Sequence, residues 1–331
     1  MAYEHEEVTR TEENACLPLS FVADMAEHRY LRDMASAEPE EKQSLVGELA
    51  RFLHGFLHQP RISGSADEWH NLSVDLAQSD LNDLACDVLE RGLEFYPRNV
   101  DLLADYLQYG MECGRAERCG EVCKVLLKVP RVLWSWRGYR FLIGYYKNRM
   151  AAAGSGTELE KYRSTIDELL GQYRQRFPED EGSYDCEAEI CRELHDQARE
   201  EAVLTEAVHR LKVAPKCAMQ LAMKLFERGE YEAALHMTQR ALNNAMQTQM
   251  SVNEAYLHYL SGLSKMALLQ LKDEGYPEDA VLSIYNDFET ALRQSLNTAY
   301  RRTLKQRAIR LQTQSDVQVP PRCEELNYLL S

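Results

Sequence analysis

Apolar side chains along this chain recur three and four residues apart with few interruptions. Leu45, Leu49, Phe52, Leu53, Phe56 and Leu57 share one face of a helix over residues 40–58, and similar spacing covers residues 19–36. Pro39, followed by Glu40 and Glu41, suits the first turn of the second helix, where negative charge meets the positive dipole end. The run Gln59-Pro60-Arg61-Ile62-Ser63-Gly64-Ser65 breaks the pattern and marks a boundary. After it the spacing starts to repeat. The window Ala66–Asn99, anchored on Trp69, places Leu72, Ser73 and Leu76 on one helix and Ala85, Leu89 and Gly92 on a second, with Pro97 as the stop. A second window runs from Val100 through a turn at Gly114 to Pro130. The third starts near Trp134, has Gly138 and Phe141 at corresponding places, is stretched by the loop Ala151–Thr157, and ends before Pro178. A fourth extends from Glu181 to Pro215, a fifth follows it, and a sixth covers Ala255–Asn297 with Gly262, Phe288, Ala291 and Leu292 around a longer middle at Gly275-Tyr276-Pro277.

The fifth window carries the most specific signal. Leu221-Ala222, Leu225, the run Arg228-Gly229-Glu230-Tyr231-Glu232-Ala233-Ala234-Leu235 and Ala241-Leu242 resemble a near-consensus tetratricopeptide unit, whose period is about 34 residues. The first three windows also resemble half-a-TPR repeats, through Leu89-Glu90-Arg91-Gly92-Leu93 before Pro97, Leu103 with Tyr106, and Leu133-Trp134 with Tyr139. The resemblance implies an all-α, right-handed α-solenoid of helix-turn-helix repeats, about six of them over residues 66–297. Residues 1–18 then form a flexible acidic tail, 19–60 an N-terminal helical segment, 298–313 a C-terminal capping helix and 314–331 a second tail. It further implies a concave face, lined by the first helix of each pair, that holds a partner peptide. By register that face presents Asp67, His70, Asp101, Gln108, Asp185, Glu189, Met219 and Met223. Carboxylates at one end and adaptable thioethers at the other suit a basic, amphipathic segment.

Charge sharpens the picture. The 331 residues carry 53 acidic and 38 basic side chains, a net charge of -15, which opposes a chain-wide nucleic-acid surface. Against that background Lys124–Arg149 holds seven basic residues, no acidic one and six interleaved aromatics. Arg131, Trp134, Trp136, Arg137, Tyr139 and Arg140 from this stretch are candidate partner-binding residues, because planar cations beside large aromatic areas make binding hot spots. The same mixture can stack unpaired bases, which leaves an RNA-processing scaffold of half-a-TPR type as one alternative. A peptide-sensing regulator resembling Rap-type tetratricopeptide proteins is another, since a helical segment precedes the repeats. A second basic run, Arg293–Arg310, reads as the outer face of the capping helix, and Glu324-Glu325-Leu326-Asn327-Tyr328-Leu329-Leu330 as a short amphipathic motif.

No catalytic, cofactor or metal residue is assigned from the sequence. There is no phosphate-binding glycine loop, no nucleophile elbow and no H-E-x-x-H. The pairs Cys119 with Cys123, Cys191 with His195, and His54 with His58 each share a helix face but lack a second pair at zinc-ligand spacing. The first fifteen residues contain five glutamates and no apolar signal region, and no apolar run is long enough to span a bilayer, so the expectation is a cytoplasmic protein with reduced cysteines. The expected function is therefore that of a non-catalytic protein-interaction adaptor or regulatory subunit.

Overall fold

A computed structural model describes residues 17–59, 61–153, 156–248, 253–272 and 277–294, together with residues 306 and 309. The acidic residues 1–16, Gly275 and Tyr276, residues 298–313 apart from 306 and 309, and residues 314–331 lie outside the described residues. Two compact units divide the chain, one up to Tyr173 and the other from Arg174, with the boundary in the last turn of a helix.

The first unit opens with β1 (Leu17–Pro18), a two-residue strand that pairs in parallel with β2 (Ile62–Ser63). Between them lie α1 (Leu19–Ala26), a π-helical turn Glu27–Leu31, α2 (Arg32–Ser36) and α3 (Pro39–Leu57). Pro39 occupies the first turn of α3 with Glu40 and Glu41 beside it. Leu49, Leu53 and Phe56 form its buried stripe. Helix pairs follow: α4 (Ala66–Gln78) with α5 (Asn82–Phe95), then α6 (Val100–Glu112) with α7 (Ala116–Lys128). A 3₁₀ turn at Arg131–Leu133 leads into α8 (Trp136–Ala153) and α9 (Thr157–Arg176).

The second unit continues with α10 (Gly182–Glu193) and α11 (Gln197–Arg210), α12 (Pro215–Glu227) and α13 (Tyr231–Thr248), and α14 (Glu254–Lys272) and α15 (Glu278–Arg293). In each unit most helices pack on a sequence neighbour, as α4 does on α5 and α12 on α13, and first helices also touch the first helix of the next pair, as α4 touches α6 and α10 touches α12. This is an all-α array of stacked hairpins, in which each pair buries an apolar face that it could not hide alone.

Local chemistry explains the starts and stops. Ser65 and Glu68 make a reciprocal capping box at α4: the Ser65 side chain accepts the Glu68 N–H at 3.2 Å, and Glu68 accepts the Ser65 N–H at 2.7 Å. Asn99 accepts the Leu102 N–H to start α6, and Asp196 accepts the Arg199 N–H to start α11. First helices end alike in four pairs. Asp80, Gly114, His195 and Gly229 all take positive φ, and the following N–H reaches back to the carbonyl five residues earlier, as in Arg115 to Gly110 at 2.8 Å and Asp196 to Cys191 at 2.9 Å. Glycine adopts that backbone freely at 114 and 229, whereas His195 does so against its Cβ. Small residues then sit where helices cross. Ala85, Ala207, Ala218, Ala234 and Ala291 are fully buried, and a Cβ on Gly262 would lie 2.6 Å from Phe288 Cδ1.

Candidate functional site

Ionic ladders tie successive first helices together in both units. In the first, Asp105 of α6 is wholly buried between His70 of α4, whose Nδ1 lies 2.5 Å from Oδ2, and Arg137 of α8, which pairs with Oδ1. Asp101 accepts a hydrogen bond from Ser135 at 2.6 Å. Arg137 and His70 therefore serve as struts, since removing one partner of a buried pair strands the other charge at a cost of about 3–5 kcal/mol.

The second unit contains a groove with room for side chains of another molecule. The groove, of about 590 Å³, opens between α10 and α12, at the end where the α10–α11 turn lies. Met219 and Met223, one turn apart on α12, form a thioether wall, and Arg192, His195, Gln220 and Lys224 supply polar groups. Glu200 lies at its base with 2% of its side chain exposed, bonded to Arg192 Nη2 at 2.9 Å and to Lys224 Nζ at 2.6 Å. Arg192 also donates to Gln220 Oε1 at 2.5 Å, and Gln220 Nε2 donates to the buried Asp185 at 2.8 Å. The polar wall is thus a continuous network, Asp185–Gln220–Arg192–Glu200–Lys224, held before any ligand arrives. Arg192 and Lys224 both face the buried Glu200, and Glu227 also lines the groove, so its cations and carboxylates balance.

Deeper in the same unit, Glu181 performs a task no local residue can. The residue before α12 is Ala214, which has no side-chain acceptor, and Pro215 opens the helix. Glu181, 4% exposed and thirty-odd residues earlier, instead accepts the N–H of Lys216 at 3.0 Å and of Cys217 at 3.1 Å. Burial pushes its carboxyl above the usual glutamate range, and the two backbone bonds only partly offset this. The neighbouring Cys217 thiol is pushed up in turn, first by burial and then by the Glu181 and Asp185 charges.

The sequence-assigned residues fall into two groups. Met219 and Met223 line the groove; Asp185 is buried and reaches it through Gln220, while Glu189 is half-buried on α10 and lies outside its lining. Trp134 and Tyr139 are each 2% exposed, and their rings lie 5.0 Å apart, with Tyr173 stacked on Tyr139 at 5.5 Å. They are packing residues of the third pair. Arg131 covers the Trp134 ring at 3.6 Å, Arg137 is held by Asp105, and Arg140 is half-buried, whereas Trp136 is 40% exposed. Arg192, Glu200 and Lys224 were not singled out from sequence, because charged helix positions look alike until two helices bring them together. The two histidines at 54 and 58 stack at 4.1 Å, and His58 Nδ1 is engaged by the His54 carbonyl. Among the described residues no group of three His, Cys, Asp or Glu side chains could hold a metal ion. Seven described cysteines are free thiols; burial raises several of them, Cys119 to about 11, so they stay protonated.

No family model matches the sequence, and no curated protein is similar to it. Solved structures that are similar include a thermophilic tetratricopeptide-repeat protein of Thermus thermophilus, at 20% identity over 62% of this chain and 100% of that one, with a TM-score of 0.45. A tetratricopeptide-repeat protein of Parabacteroides merdae matches at 12% identity over 88% of this chain and 98% of that one, TM-score 0.44. A chain of the APC/C hetero-tetramer Cut9–Hcn1 matches at 13% identity over 88% of this chain and 52% of that one, TM-score 0.45. The fold is a tetratricopeptide-like array of helical hairpins, with the spacing and turn geometry described above. Ligands of the similar proteins do not carry over to it at these identities.

Proposed function

We propose that this chain is a non-catalytic protein-interaction module, an adaptor or regulatory subunit, whose partner segment lies in the groove between α10 and α12. One observation carries the reading: the methionine wall and the pre-bonded Arg192–Glu200–Lys224 network share a groove of about 590 Å³. Thioethers adapt to side chains of many shapes, and the fixed polar wall orients a backbone or carboxyl group without being reorganised. The volume falls in the range of sites that enclose a few side chains. Protonated buried thiols and struts already committed to salt bridges support a binding role over chemistry. Reduced cysteines suit a cytoplasmic setting, and no helix among the described residues is long and apolar enough to cross a membrane.

A photo-crosslinker placed at Met223 tests this. The expected result is a nuclease-insensitive cross-link to one protein, whose purified form binds the chain at least about tenfold more weakly after Met219→Ala with Met223→Asp. Unchanged affinity in that double variant, or cross-linking to RNA alone, would refute the reading.

A further inference from the structure

The passage from α7 into α8 carries a surface of different character from the groove, in the other unit. Lys124, Leu127 and Lys128 lie on one exposed face of α7, since positions three and four apart stack on a helix. The chain then turns through Pro130 and the 3₁₀ turn Arg131–Leu133. Leu127 is 40% exposed, Val132 67%, Leu133 64% and Trp136 40%. Single exposed apolar residues are ordinary, but here four fall within ten residues, from the end of α7 through the turn to the start of α8.

That turn is rigid. Beneath it the buried Trp134 indole donates to the Val129 carbonyl at 3.1 Å, and the Arg131 guanidinium is stacked over the same ring. A surface fixed before binding loses little side-chain entropy when a partner arrives. Its charge is also unspent. Lys124, Lys128 and Arg131 form a salt bridge with no carboxylate among the described residues, and Arg131 Nη1 is buried without a hydrogen-bond partner. Glu168 acts on Arg131 only from a distance. Other cations of the chain are paired, as Arg115 is with Asp83 and Asp87, and Arg228 with Glu201.

We propose that this rim, Leu127, Val132, Leu133 and Trp136 flanked by Lys124 and Lys128, docks an acidic amphipathic segment of a partner protein. Leucine or aromatic side chains of the segment sit on the apolar patch, and flanking carboxylates meet the lysines. An anionic bilayer shares part of this chemistry, but the net charge of -15 repels the chain from an extended negative surface. A short segment presents its carboxylates only where the lysines are.

Two labelled peptides of about 18 residues test it on the full chain. They share leucine and phenylalanine at helical spacing and differ only in having Glu or Lys at the flanking positions. Trp69 and Trp134 are buried, so a blue shift in tryptophan emission on binding reports Trp136. The Glu peptide is expected to bind and shift the emission, the Lys peptide to do neither. Lys124→Glu with Lys128→Glu, and separately Val132→Ser with Leu133→Ser, are each expected to weaken binding at least about tenfold. These side chains are exposed, so the unfolding curve of each variant should match that of the parent. Equal binding of both peptides, or insensitivity to both double variants, overturns the proposal. So does a blue shift caused by phosphatidylserine vesicles and not by the Glu peptide, or one that grows with protein concentration alone, which would assign the rim to a second copy. Met219→Ala with Met223→Asp should leave peptide binding here intact, which separates this test from that of the groove.

Discussion

Replacing Glu181 tests whether one repeat caps the next. In Glu181→Ala the N–H groups of Lys216 and Cys217 lose their acceptor while Ala214 offers none. Each orphaned buried donor costs about 1–3 kcal/mol. Removing a carboxylate that burial already penalises returns part of this, so the expected loss is about 2–3 kcal/mol. Glu181→Gln keeps a carbonyl oxygen for the same donors and should cost under about 1 kcal/mol at neutral pH. The pH dependence has a definite sign. Because the folded carboxyl lies above its unfolded value of 4.5, the native state holds the proton more tightly. The wild-type contribution therefore falls as pH rises from the unfolded value through the folded one. The Gln variant lacks that fall, so it should gain on wild type between acidic and neutral pH. Urea unfolding followed by far-UV circular dichroism at several pH values measures both effects. All three tryptophans lie in the first unit, so their fluorescence is an internal control and should shift less. An Ala variant within about 0.5 kcal/mol of wild type, or a Gln difference that does not move with pH, would refute the account.

Two further outcomes follow from the same geometry. His195→Gly should stabilise the fold by about 0.5–1 kcal/mol by relieving a positive-φ backbone, while Gly229→Val at the matching turn should destabilise by about 1–2 kcal/mol; paired thermal melts check the opposite signs. Asp287 is buried, which would raise its carboxyl, but the His258 ring 3.5 Å away and hydrogen bonds from Lys265 and Ser261 outweigh that and hold it below the ordinary aspartate value. Its contribution is therefore present above the unfolded value and lost as pH falls through the folded one, so Asp287→Asn should flatten the acid limb of the stability profile.

The repeat itself was legible in the sequence because it rests on local rules. Apolar spacing marked the helices, Pro39 marked a start, and Gly114 and Gly229 marked two turns, whereas Pro215, read as the end of a window, opens α12. The equivalent turns at Asp80 and His195 escaped notice, since nothing in those residue types announces a left-handed backbone. Met219 and Met223 could be assigned to one face by register, but a face is not a groove. Whether the basic-aromatic stretch was surface or packing could not be read either, because Trp134 and Trp136 are the same residue two positions apart, and only the 3₁₀ turn buries the first and exposes the second. The pairings that matter most, Glu181 with the start of α12 and Glu200 with Arg192 and Lys224, join residues of different helices. Spacing along the chain fixes what a helix presents. Which charges end up buried, paired or left over depends on how one hairpin lies against the next, and that is settled only when the whole array packs.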